Sequence, residues 1–157
     1  MMVQLSRVMA LFILAHLVSL PALATTEFTL QLRWLHQFQF AGYYIAKEKG
    51  YYKEAGLDVT LREGGKDTLK PVDNVLTGEA DFGISNSGVV IQHMAGQPVV
   101  ALAAIMQTSP MAWIVREDSN IFSPLDLAGK RLMLMPPPES SELLAMLRRE
   151  GINPDQL

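Results

Sequence analysis

The stretch Trp34-Leu35-His36-Gln37-Phe38-Gln39-Phe40-Ala41-Gly42-Tyr43-Tyr44 puts five aromatic rings beside an imidazole and two amides within eleven positions. Flat faces next to polar groups suit a planar heterocycle, since stacking contributes about 0.5–1.5 kcal/mol per ring and the polar groups fix orientation. The same rings could instead pack between helix and sheet, as most buried aromatics do. A second stretch, Ser85-Asn86-Ser87-Gly88, follows a strand pattern and opens a helix pattern. Its amides and hydroxyls could receive a carboxylate, phosphate or sulfonate, or could simply cap the helix. Gln107-Thr108-Ser109 offers further hydrogen bonds or forms a plain turn before Pro110, whereas Ser140-Ser141-Glu142 reads as a helix start.

Other chemistries lack their residues. The chain has no cysteine, which removes disulfides, thiolate metal sites and a cysteine nucleophile. His36 and His93 lie in different contexts with no carboxylate cluster at ligand spacing, so no metal or other cofactor is expected. No serine sits in a Gly-x-Ser-x-Gly elbow, and no glycine loop ends in Gly-Lys-Ser/Thr. With 13 basic against 16 acidic side chains in 157 residues, the net charge of −3 gives no reason to expect nucleic acid as a partner.

The elements that must position these stretches alternate between strand and helix. Residues 1–24 are set aside first as a signal peptide. Arg7 is followed by the apolar run Val8 to Val18, a break at Ser19-Leu20-Pro21 and the small-x-small triplet Ala22-Leu23-Ala24. That run is short for about 30 Å of hydrocarbon. Period-two alternation then predicts strands over Phe28 to Leu35 and Leu57 to Leu61. Helices are expected from Ala41 to Lys49 and Tyr51 to Ala55, closed by Gly50 and Gly56. A further helix starts near Thr68 and aligns Leu69, Val72, Val75 and Leu76. A third strand runs from Ala80 to Ser85, then a helix from Val89 to Ala95. The apolar run from Pro98 to Met106 reads as a strand buried on both faces, and Ala112 to Arg116 and Arg131 to Met135 read as two more. Ser123-Pro124 opens a short helix, three prolines at 136–138 make a break, and a last helix runs from Ser141 to Glu150. This order implies an α/β fold with a mainly parallel sheet covered by helices on both faces. Ligands in such sheets bind outside the carboxyl ends of the strands, which here are Leu35 to Gly42, Ser85 to Gly88 and Gln107 to Met111.

The run from Ala41-Gly42-Tyr43-Tyr44-Ile45-Ala46 to Gly56-Leu57-Asp58-Val59, preceded by Trp34, resembles the opening of one family. Gly78-Glu79-Ala80-Asp81-Phe82-Gly83-Ile84 and Ser123-Pro124-Leu125-Asp126-Leu127-Ala128-Gly129-Lys130-Arg131 agree with it. The family is the thiamine-pyrimidine-precursor and alkanesulfonate type of periplasmic binding protein, which also contains thiamine pyrimidine synthases. The resemblance implies a type II periplasmic-binding-protein fold of two lobes, with residues 25–110 as the first lobe and 111–157 as the start of the second. It implies a periplasmic protein that captures a small heterocyclic or anionic ligand for an ABC transporter permease. The alternative is a sensor module with a fused signalling domain. The ligand positions it implies are Trp34, His36, Gln37, Phe38, Gly42 and Tyr43 in the first stretch. In the later loops they are Ser85, Asn86, Gln107 and Ser109. The synthases carry a lysine for pyridoxal phosphate after the third strand, a histidine one turn later and a cysteine-rich iron motif. Here those positions fall at Ser85 and Val89 and cysteine is absent, so the resemblance implies a binder rather than an enzyme.

Overall fold

A computed structural model describes residues 25–67 and 70–156, so the expected signal peptide and the expected helix start at Thr68 lie outside the described residues. Three strands, β1 (Thr26–Gln31), β2 (Leu57–Arg62) and β3 (Phe82–Gly83), form a parallel sheet in the order β2-β1-β3. The register runs from Thr26 opposite Leu57 to Gln31 opposite Arg62, and Leu30 and Gln31 face Phe82 and Gly83. Helices α1 (Ala41–Glu48) and α2 (Tyr51–Glu54) link β1 to β2, and α3 (Pro71–Leu76) links β2 to β3. Helix α4 (Gly88–Met94) follows β3, and α5 (Ser141–Arg149) follows a long irregular stretch. Among the described residues no helix is long and apolar enough to cross a membrane.

Local sequence accounts for much of this. Leu57-Asp58-Val59-Thr60-Leu61 alternates as expected, with Val59 buried and Asp58 and Thr60 exposed. Gly50 and Gly56 close α1 and α2 at φ 79° and 74°, a region a side chain would disfavour. Pro71 occupies the first turn of α3, where its missing N–H leaves nothing unpaired. Ser123 and Asp126 form a capping box at the short turn Pro124–Leu127; the Asp126 carboxylate accepts the Phe122 and Ser123 amides at 2.9 and 2.8 Å.

The first strand stops earlier than its alternation predicts. Gln31 is buried, and its amide nitrogen donates to the Leu32 and Glu63 carbonyls at 3.1 and 3.0 Å. Its side-chain oxygen accepts from Arg62 Nε. The Gln31 amide thus stands in for the next rung of the ladder, and the chain bends away from Arg33 to His36. Gly64 seals that bend, since a Cβ there would lie 2.6 Å from the Leu32 carbonyl oxygen.

The expected strands over 98–106, 112–116 and 131–135 do not form. Val100, Leu102, Ile105 and Met106 are instead 64–77% exposed. A continuous apolar run becomes a buried strand only with hydrogen-bonding neighbours and a cover on each face. Among the described residues nothing pairs with these segments, and the third strand is itself reduced to two residues because its partner β1 ends at Gln31. The best-buried cluster lies in the C-terminal part: Leu127, Leu147 and Ile152, with Trp113, Ile121, Leu132, Leu144 and Met146 packed around them. It holds α5 in place and so fixes the loop at its start.

Candidate functional site

The polar stretches gather at the carboxyl ends of β1 and β3. Beyond β1, His36 is engaged at both ring nitrogens. The Tyr44 hydroxyl lies on Nδ1, and the Glu63 carboxylate is 3.4 Å from Nε2. A carboxylate at Nε2 favours the tautomer with its proton there, which leaves Nδ1 to accept the Tyr44 hydroxyl. The two rings meet edge-on with centroids 5.7 Å apart. Gln37 accepts the Gln39 side-chain amide at 3.1 Å.

The aromatics divide between the two readings open from sequence. Phe40 is buried and serves packing, whereas Phe38 is 93% and Trp34 41% exposed. The Trp34 backbone is pinned, because its carbonyl accepts the Gly64 amide at 2.9 Å. Tyr43 is half-buried near Tyr52 of α2, and burial, reinforced by that phenol, pushes its hydroxyl pKa up and keeps it neutral. Gly42 is exposed on α1 with open space beside it.

Beyond β3, the loop 85–88 is fastened to the loop 136–142. Asn86 donates from Nδ2 to the Glu139 carbonyl at 3.0 Å and accepts the Gly88 amide on Oδ1 at 3.0 Å. Ser87 and Ser109 donate their hydroxyls to the two oxygens of the Glu142 carboxylate, each at 2.8 Å. Lys70, just before α3, pairs with Glu139 at 2.6 Å. Gln107, by contrast, turns its amide back to the Ala104 carbonyl at 2.8 Å, and Ser85 stays exposed. The structure therefore joins Asn86 and Ser109 in one constellation and His36 in another.

Sequence reading did not single out Tyr44, Glu63, Lys70, Glu139 or Glu142 as site residues. Glu142 looked like a helix start, which it is, but its partners lie 55 and 33 residues upstream. No local spacing signals such a contact.

Burial raises the Glu139 pKa, yet the hydrogen bond from Lys70, a backbone hydrogen bond and the Lys70 and Arg33 charges outweigh it and hold the carboxyl below its ordinary value. The sign follows from linkage. The stabilisation is fully present above the ordinary carboxylate range and is lost as pH falls through the depressed folded value. Melting temperatures of the wild type and Glu139→Gln should differ near about pH 7 and converge toward about pH 3. A gap that stays constant over that range would exclude the ion pair as its source.

Three parallel strands with helical crossovers and polar loops at the carboxyl edge make an α/β fold. The family model described as NMT1/THI5 like matches residues 37–157, and the chain belongs to that family, whose fold is the type II periplasmic-binding-like one. Three relatives share 25–32% identity over part of their length. A Haemophilus influenzae protein named for thiamine biosynthesis is 25% identical over 122 residues, 77% of this chain and 38% of its own length. The riboflavin-binding protein RibY of Chloroflexus aurantiacus is 28% identical over 108 residues, 68% of this chain and 31% of its own. The binding protein YtlA of Bacillus subtilis is 32% identical over 100 residues, 62% of this chain and 30% of its own. The chain thus spans about a third of the length of these relatives. Family membership and two relatives named as binding proteins support a solute-binding role.

Proposed function

We propose that this chain contributes the ligand-binding first lobe, residues 25–110, and the start of a second, from 111, of an exported solute-binding protein. Its ligand is a small nitrogen heterocycle such as a thiamine pyrimidine precursor, or a comparable small anion, passed to an ABC transporter permease. The observation that carries this reading is the joining of the loops 85–88, 107–111 and 136–142 beyond β3, with half-exposed Trp34 and exposed Phe38 beside polar groups beyond β1. Names given to relatives agree with a heterocycle: one refers to riboflavin and another to thiamine. Two relatives named as binding proteins support a binding role rather than a catalytic one.

Thermal-shift titration of the protein with thiamine pyrimidine precursors and alkanesulfonates is the direct test, since a ligand that binds only the folded state raises Tm. No shift with any of them would remove these ligand classes. Trp34→Ala should weaken heterocycle binding by about two- to tenfold, the worth of one stacked ring, while Tm without ligand stays unchanged. If the variant loses Tm instead, Trp34 is packing and not a ligand contact.

A further inference from the structure

The loop that leaves β1 is seated on the residues that follow β2. The Gly64 amide donates to the Trp34 carbonyl at 2.9 Å, and buried Gln31 donates to the Glu63 carbonyl at 3.0 Å. Gly64 has no Cβ to hold the two segments apart; one there would lie 2.6 Å from the Leu32 carbonyl oxygen. These contacts fix the backbone at Glu63 and so the point from which its side chain extends. That side chain goes to His36, where its carboxylate is 3.4 Å from Nε2. From the other side the Tyr44 hydroxyl, carried by α1, lies on Nδ1, and the two rings meet edge-on.

An imidazole has two nitrogens, and both are engaged within the chain. No ring nitrogen is left for a ligand, although about half of the side chain is exposed. His36 stands midway between Trp34 and Phe38, which are 41% and 93% exposed and present open ring surface. The imidazole is thus a clamp in the middle of the loop, joined to the end of β2 and to α1, with an exposed aromatic ring on each side of it in sequence.

Building on the solute-binding reading above, we infer that His36, clamped by Tyr44 and Glu63, is a positioning residue. It holds the loop that presents Trp34 and Phe38 to a heterocyclic ligand and does not touch the ligand itself. Glu63 and Tyr44 act through it, Glu63 by keeping the proton on Nε2 and Tyr44 by occupying Nδ1. A loop already held in its binding conformation leaves less ordering to be done on association, and this is the affinity the clamp supplies. A histidine that touched the ligand would need a free nitrogen, and its effect would not depend on Glu63.

Calorimetric titration of the full chain with the aminomethyl form of the thiamine pyrimidine separates the two roles. Glu63→Ala and Tyr44→Phe should each weaken binding by about two- to fivefold, the worth of a half-exposed pair. With His36→Ala already in place, neither should weaken it further, because the clamp is gone. Glu63→Gln keeps an acceptor for the Nε2 proton and should bind as the wild type does. Nitrogen-15 spectra of the ligand-free imidazole at about pH 8, above the ordinary histidine range, give a second readout. They should show the Nε2–H tautomer in the wild type and Glu63→Gln, and a mixture in Glu63→Ala. Unchanged affinity in Glu63→Ala, losses that persist in the His36→Ala background, or an imidazole spectrum indifferent to Glu63→Ala would overturn the clamp while leaving a solute-binding protein. Failure of the wild type to bind the probe would overturn the heterocycle reading and this role with it.

Discussion

Leu147→Ala is expected to destabilise the fold by about 2–5 kcal/mol, the usual loss when a fully buried leucine is truncated. Leu147 is 0% exposed and sits with Leu127 and Ile152 at the centre of the best-buried cluster. Among the described residues few other side chains reach that burial, so this cluster has little apolar packing to spare. Ordinary domains are stable by only about 5–15 kcal/mol, so the loss is a large share of the whole. Urea unfolding followed by circular dichroism would show a midpoint shift at unchanged slope. The effect reaches the site because α5 carries Glu142 near its start and Leu147 near its end. Loosening the helix releases the carboxylate from Ser87 and Ser109. A midpoint equal to that of the wild type would mean that this cluster does not hold α5.

Gly88→Ala should be the most damaging change within the candidate site. A Cβ at position 88 would collide with the Pro138 carbonyl, whose carbon would lie 2.9 Å away, and with Asn86 Oδ1 at the same distance. Neither can yield cheaply, since one is backbone and the other accepts the Gly88 amide. The two loops must separate, which breaks the Asn86–Glu139 bond and the Ser87–Glu142 bond together. Overpacking of this kind costs about 1–3 kcal/mol. Gly42 provides the contrast for stability. Its Cβ direction is open, and alanine there should be neutral or stabilise by up to about 1 kcal/mol through the unfolded chain. Equal melting temperatures for Gly88→Ala and the wild type would show that the loops are not in contact.

Much of the site's scaffold was readable before any coordinates, and the boundary between what was readable and what was not has a physical cause. Gly50 and Gly56, the Pro71 helix start and the Ser123-Pro124 cap act over one turn of chain, so neighbours in sequence suffice to define them. The alternation over Leu57 to Leu61 likewise specifies which side chains face inward. Parallel order followed from alternating strands and helices, because parallel strands need crossovers.

The open questions concerned partners distant in sequence. Whether Phe40 or Phe38 would pack could not be decided from two phenylalanines of equal apolarity two residues apart; the turn at Phe38–Phe40 buries one and exposes the other. The run from Pro98 to Met106 has strand composition, yet a strand exists only through a neighbour's backbone groups, and composition does not supply one. Gln31 ends β1 by using its amide as a surrogate rung, which alternation alone hides. By itself, then, the sequence determined the α/β class, the family and the loops where polar and aromatic groups concentrate, because these rest on local periodicity and motif order. Only the tertiary structure decided that Glu142 and Glu139 join Ser87, Ser109, Asn86 and Lys70, since contacts spanning 33 to 69 residues depend on where the chain returns.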